Sequence, residues 1–212
     1  MISKQKVNIY LQNFIERIEK DGLLEEVEFI FTYGSTTSGV EYVPNINVGI
    51  IVTHLSGADL KKWQKTIRYM VKKGKTMPLL MPVSEFLGSA DVFPIEYLDM
   101  KLRHFKLYGK DVLGDLELDL SNIRLRLEEE LRAKYVRMRE IFLSPHSKTL
   151  LKRVLSKALS SLNILLKAMV FIQLNKDPKA FNGLLSGKDP QTVIREFSGK
   201  EMYEFLKLNN GL

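Results

Sequence analysis

The sequence contains no cysteine among its 212 residues. That excludes disulfides, thiolate zinc sites and a cysteine nucleophile together. Histidine is almost as scarce: His54, His104 and His146 stand far apart and offer no metal-ligand spacing. Long apolar runs are missing too. The opening MISKQKVNIYLQNF lacks the uninterrupted stretch of a signal peptide. The most apolar later segment, 158–174, is broken by Ser160, Ser161, Asn163 and Lys167, so it does not read as a membrane span. A cytoplasmic location is the expectation, with no membrane partner. What is present is an ordinary globular composition, 45% hydrophobic and 27% charged, which excludes wholesale disorder. A chain of this length buries about 70% of its unfolded surface and needs no staples.

Basic residues outnumber acidic ones, 32 to 25, for a net charge of +7. The excess is uneven: residues 1–60 hold 4 basic and 8 acidic residues, 61–143 hold 17 and 12, and 144–212 hold 11 and 5. A nucleotide's phosphates, or nucleic acid through the basic surface, would be attracted to the last two thirds. The plainer reading is a lysine-rich solvated surface. The densest run is Lys61, Lys62, Lys65, Arg68, Lys72, Lys73 and Lys75, which falls on the solvent side of a helix.

The apolar periodicity predicts a helix over 4–20, with Val7, Leu11, Phe14 and Ile18 inward and Asp21-Gly22 as its stop. VEFIFTY, 27–33, is β-branched and aromatic and ends at Gly34, as a buried strand does. A second strand is expected over 45–53 and a helix over 59–73, with Trp63, Ile67 and Met70 inward and Gly74 closing it. Strands are expected over 76–83 and 92–100, separated by a helical turn at 85–87. This order of elements is that of an α/β or α+β domain. Beyond Gly114 the pattern is helical only: 119–142, a break at Ser144-Pro145, then 147–174. Two short helices open at Asp177-Pro178 and Asp189-Pro190, and a last one covers 200–208. The expected division is a mixed-sheet domain over 1–118 and an all-α helical bundle over 119–212.

The stretch with chemistry in it is Tyr33-Gly34-Ser35-Thr36-Thr37-Ser38-Gly39, followed by Asn45-Ile46-Asn47-Val48. A strand ending in Gly-Ser presents backbone N–H groups and a hydroxyl that suit a phosphate; a tight turn closing the strand is the plainer alternative. Strand side chains alternate, so Asn45 and Asn47 share one face while Ile46 and Val48 take the buried one. Polar residues at i and i+2 at the mouth of an apolar strand suit a metal-and-phosphate site.

In these residues the sequence resembles the nucleotidyltransferase superfamily, the fold shared by DNA polymerase beta and aminoglycoside nucleotidyltransferases. Its hallmark is hG[GS], a turn, hDxDh on the next strand, and a third carboxylate on a later strand. FPIEYLDM at 93–100, LYGKD at 107–111 and the charged helix IRLRLEEELRAKYVRMREIFL resemble an uncharacterised prokaryotic subgroup. The resemblance covers about residues 10–143. It implies a mixed-sheet fold, phosphate binding at Gly34 and Ser35, Mg²⁺ with ATP or another nucleoside triphosphate, and metal ligation at the positions of Asn45 and Asn47. Glu96 is the candidate for the third carboxylate, with Asp99 facing the other way. Glu41 reads as a loop residue near the turn, and HFKLYG offers Lys106 and Tyr108, the latter to stack on a base or, in the plainer reading, as a core tyrosine.

Both metal-ligating positions are asparagine here. An amide oxygen brings no charge, and Mg²⁺ prefers anionic oxygens. At about 4 Å and an effective dielectric near 20, each missing carboxylate removes roughly 8 kcal/mol of attraction to a dication before desolvation. The reading is therefore a catalytically attenuated nucleotidyltransferase homologue that binds a nucleotide, its metal-binding motif degenerate. If active, it performs metal-dependent nucleotidyl transfer to a hydroxyl. The alternative is a non-enzymatic regulatory or interaction module with a vestigial cleft.

Overall fold

The structure, a computed structural model, describes residues 2–37, 42–43, 45–74, 77–143, 164–173 and 175. The chain divides into two compact units: Met1–Ala90 with Arg103–Glu117, and Asp91–Leu102 with the chain from Leu118 on.

The first unit is built on a four-stranded mixed sheet. Its strands are β2 (Val27–Tyr33), β4 (Val48–Val52), β5 (Leu79–Pro82) and β6 (His104–Gly109), in the order β5-β4-β2-β6. β2 runs antiparallel to both neighbours, and β4 and β5 are parallel. A parallel pair needs a crossover, which α2 (Gly57–Gly74) supplies. A separate two-stranded piece joins β1 (Ile2–Ser3) to β3 (Tyr42–Val43). Helix α1 (Lys4–Lys20) turns Val7, Leu11, Phe14 and Ile18 inward, as its periodicity requires, and these pack with Trp63 and Met70 of α2 on Ile30, Val48, Ile50 and Val52. Phe14 and Ile18 are wholly buried, each worth about 1.5–3 kcal/mol of transfer free energy. On the sheet's other face Phe29 stacks on Phe31, and Phe31 meets Phe86 of the short helix α3 (Val83–Gly88).

The second unit contains α4 (Pro94–Leu102), α5 (Leu120–Leu143) and helical residues 164–173. Ile95, Leu98 and Leu102 pack with Ile123, Leu127, Leu165 and Ala168. Lys167 is buried and lies 3.8 Å from Asp99. Among the described residues no helix is long and apolar enough to cross a membrane.

The expected strand at 92–100 is a helix. Pro94 has no N–H to give a ladder but suits the first turn of a helix, and Ile95, Leu98 and Leu102 recur at helical spacing. The sheet position goes instead to β6, HFKLYG. The expected strand at 45–53 is shorter, starting at Val48, and that at 76–83 is reduced to Leu79–Pro82. The helices expected after Asp177 and over 200–208 lie outside the described residues, as do the break at Ser144-Pro145 and most of 147–174.

Candidate functional site

β2 ends at Gly34, whose φ is +63°. Glycine takes this left-handed conformation readily, whereas an L side chain costs about 1–2 kcal/mol there. A Cβ at this position would also stand 3.1 Å from Asn47 Nδ2. Gly34, Ser35, Thr36 and Thr37 form a single 3₁₀ turn. Two hydrogen bonds fasten that turn to the start of β4: the Asn47 N–H donates to Thr36 Oγ1 at 2.8 Å, and the Tyr33 N–H donates to the Asn47 carbonyl at 3.3 Å.

Ile46 and Val48 are buried in the α1–α2 core, so Asn45 and Asn47 share the opposite face. Their side chains meet, with Asn45 Nδ2 donating to Asn47 Oδ1 at 3.0 Å. Gly49, two residues on, belongs to that face too; a Cβ there would overlap the Phe31 ring. The expected neighbourhood of Gly34, Ser35, Asn45 and Asn47 is therefore present.

β6 borders β2 on the other side, with His104 opposite Tyr33. The His104 ring lies edge-on to Phe29 and Phe31, at centroid distances of 6.2 and 6.3 Å. His104 Nε2 is 2.8 Å from Asp111 Oδ2. The other Asp111 oxygen accepts the N–H groups of Leu113 and Gly114 at 3.0 and 2.9 Å. Burial works to raise the Asp111 carboxyl, but the hydrogen bonds from His104, Gly114 and Leu113 outweigh it and hold it below the ordinary carboxylate range. Burial pushes the Tyr33 phenol up.

Glu96 is not on the later strand that the reading of the sequence expected. It is an exposed residue of the first turn of α4 in the second unit, on a helix and not on a strand, and its charge helps raise the Arg126 guanidinium of α5 behind the larger effect of Glu129. Lys106 is exposed, and Tyr108 packs half-buried against the α1–α2 core. Glu41 lies outside the described residues. Lys62 pairs with Asp59 and Glu26, and Lys65 with Asp21, so part of the basic helix face is neutralised within the chain. Thr36 and the His104–Asp111 pair went unread in the sequence. Thr36 was one hydroxyl in a run of four, and nothing local tells which one meets a backbone N–H eleven residues on.

The donor set does not fit Mg²⁺. Asn47 Oδ1 accepts from the neighbouring amide, no carboxylate stands at either position, and among the described residues no group of three or more histidine, aspartate or glutamate side chains could hold a metal. In fold, the first unit is an α+β domain: a mixed sheet in which the inner strand β2 closes in a Gly-Ser turn beside the polar start of its neighbour.

No family model and no curated protein matches this sequence. Among solved structures, the chain is similar to a tri-AMPylated Shewanella oneidensis HEPN toxin in complex with MNT antitoxin, at 10% identity and a TM-score of 0.34, over 65% of this chain and 99% of that one. A mutant of the MntA–HpeT toxin–antitoxin pair gives 11% identity and a TM-score of 0.35, over 63% and 98%. Spectinomycin adenyltransferase AAD(9) from Enterococcus faecialis, with ATP and spectinomycin, gives 11% identity and a TM-score of 0.41, over 90% of each chain.

Proposed function

We propose that this chain is a nucleotidyltransferase-like protein that binds a nucleoside triphosphate beside the Gly34 turn and is attenuated as a catalyst. The observation that carries this reading is the Asn45–Asn47 amide pair, held against Gly34 where the resembled superfamily has two carboxylates. Gly34 carries no Cβ, and a side chain there would press on the Asn47 amide at 3.1 Å and disturb the turn. Transfer needs a hydroxyl oxygen to attack the α-phosphorus while the pyrophosphate leaves, and in the resembled superfamily metal ions neutralise that developing charge. Two neutral amides remove the anionic ligands for those ions and leave phosphate binding independent of them. Exposed Leu125, Tyr135 and Leu143 on α5 favour a second reading, an interaction module whose cleft is vestigial.

Titration of ATP and of inorganic triphosphate, each in chelator and in Mg²⁺, tests the first reading. The expected result is mutual competition and affinities that agree within about threefold with and without the metal, while Gly34→Val weakens both about tenfold or more. Absence of binding, or unchanged affinity in Gly34→Val, overturns it.

A further inference from the structure

We infer that Thr36 is the positioning residue of the nucleotide site: its hydroxyl oxygen, by accepting the Asn47 N–H, holds the Gly34–Thr37 turn ready for a polyphosphate. The inference rests on the nucleotide-binding reading above and adds to it the residue that prepares the turn. Four residues in 3₁₀ conformation do little to hold themselves. The turn is fastened from outside, and Asn47, just ahead of β4, is the fastening point. The Asn47 carbonyl accepts from Tyr33, the residue before the turn, at 3.3 Å. The Asn47 N–H donates to Thr36 Oγ1, inside the turn, at 2.8 Å. One residue thus grips the chain on both sides of Gly34, and the contact through the Thr36 side chain is the shorter of the two.

Threonine suits this task for two reasons. Its hydroxyl is a compact acceptor, and its β-branch limits χ1, so the oxygen stays where the N–H meets it. Thr36 is half-buried. Its bond joins residues eleven apart and closes the loop that leads from the turn to β4. That loop has other anchors as well. Tyr42 and Val43 pair with Ser3 and Ile2, and Ile46 is buried in the α1–α2 core. Asn47 is also linked to Asn45 through their side chains. Loss of the Thr36 bond therefore loosens the turn and leaves the sheet and core in place.

A phosphate held by a turn needs the groups of that turn in one arrangement. Where the chain is already fastened, binding orders nothing further. Where it is loose, the entropy of ordering it is subtracted from the affinity. Fixing the backbone of a single residue lowers affinity by roughly tenfold, so a turn freed at Thr36 binds a polyphosphate about tenfold more weakly. The effect falls on the phosphates and not on the base, so ATP and inorganic triphosphate are weakened alike. It follows the hydroxyl and not the bulk of the side chain. Valine has the shape of threonine without the acceptor, and serine has the acceptor without the methyl group.

The experiment measures binding of inorganic triphosphate and of ATP, in chelator, to the parent, Thr36→Val, Thr36→Ala and Thr36→Ser. Circular dichroism and thermal melts fix a temperature at which every variant is fully folded, so that a change in affinity is not a change in folding. Thr36→Ala carries the comparison if valine is not accommodated. Thr36→Val and Thr36→Ala should bind both ligands about tenfold more weakly, and Thr36→Ser should stay within about threefold of the parent. Rescue by serine ties the loss to the hydroxyl. Parent-like affinity in the variants that lack it overturns the inference and leaves nucleotide binding intact. So does a Thr36→Ser variant as weak as Thr36→Ala, since the hydroxyl would then not be the cause. Weakened ATP with unchanged triphosphate also overturns it, because the effect would lie with the base. Absence of binding by the parent overturns the nucleotide reading and this inference together.

Discussion

Asn45 and Asn47 hold each other through one hydrogen bond, Nδ2 to Oδ1 at 3.0 Å. Aspartate is nearly isosteric with asparagine, so Asn45→Asp/Asn47→Asp keeps the packing while it replaces that bond by a carboxylate–carboxylate repulsion. At partly exposed positions the cost should be about 1–2 kcal/mol. A dication that binds only the folded state reverses it. The double variant should therefore melt below the parent in chelator and recover on addition of Mn²⁺, while the parent barely responds. Thermal melts in chelator and in Mn²⁺ check this. A double variant indifferent to Mn²⁺ would show that the two positions do not form a latent metal site.

At the scale of elements, α1 and α2 are tied through Asp21, just past the end of α1. Its carboxylate accepts from the buried Thr66 hydroxyl of α2 and from Arg17, both at 2.7 Å, and lies 3.6 Å from Lys65. The Thr66 hydrogen bond is the largest reason that Asp21 sits below the ordinary carboxylate range, with Arg17 and Lys65 adding to it against the effect of burial. A depressed carboxyl contributes stability that is present above about pH 4 and is lost as pH falls through the folded-state value. Asp21→Asn should thus be less stable than the parent at pH 7, and the gap should close towards pH 2. Urea unfolding across that range checks the convergence; a gap of constant size counts against it. α1 was legible residue by residue, since one apolar stripe and a clear stop define it. β2 was legible because β-branched and aromatic residues ran unbroken to a glycine. α4 was not: PIEYLDMKL is apolar enough for a strand, and its helical spacing matters only because Ile123 and Leu127 wait far along the chain. The same distance hid His104–Asp111, for only the β2–β6 register brings that imidazole beside Gly34.

The molecule as a whole crosses between its two units three times: after Ala90 into α4, back at Arg103 into β6, and out again after Glu117. A cut that follows the change in composition, at residue 118, would leave α4 on the fragment without the residues that bury Ile95, Leu98 and Leu102. Each such side chain forfeits about 1.5–3 kcal/mol of burial. A fragment of residues 1–118 should bind an apolar dye and self-associate at concentrations where the full chain does not. Light scattering and dye fluorescence test this, and a dye-silent monomeric fragment would mean that α4 finds other cover.

The detour through α4 also delays the sheet. β2 gains its β4 partner as soon as Val52 has been made, but its other edge waits for β6, which ends at Gly109. At about 5–20 residues per second on the ribosome, that wait lasts roughly three to eleven seconds. Throughout it the nascent chain exposes one side of VEFIFTY, an aromatic strand of the kind that templates pairing with other chains. Closure then comes from a strand bearing Lys106 on its exposed surface and followed by Lys110, charges that discourage any further chain from adding to the new edge.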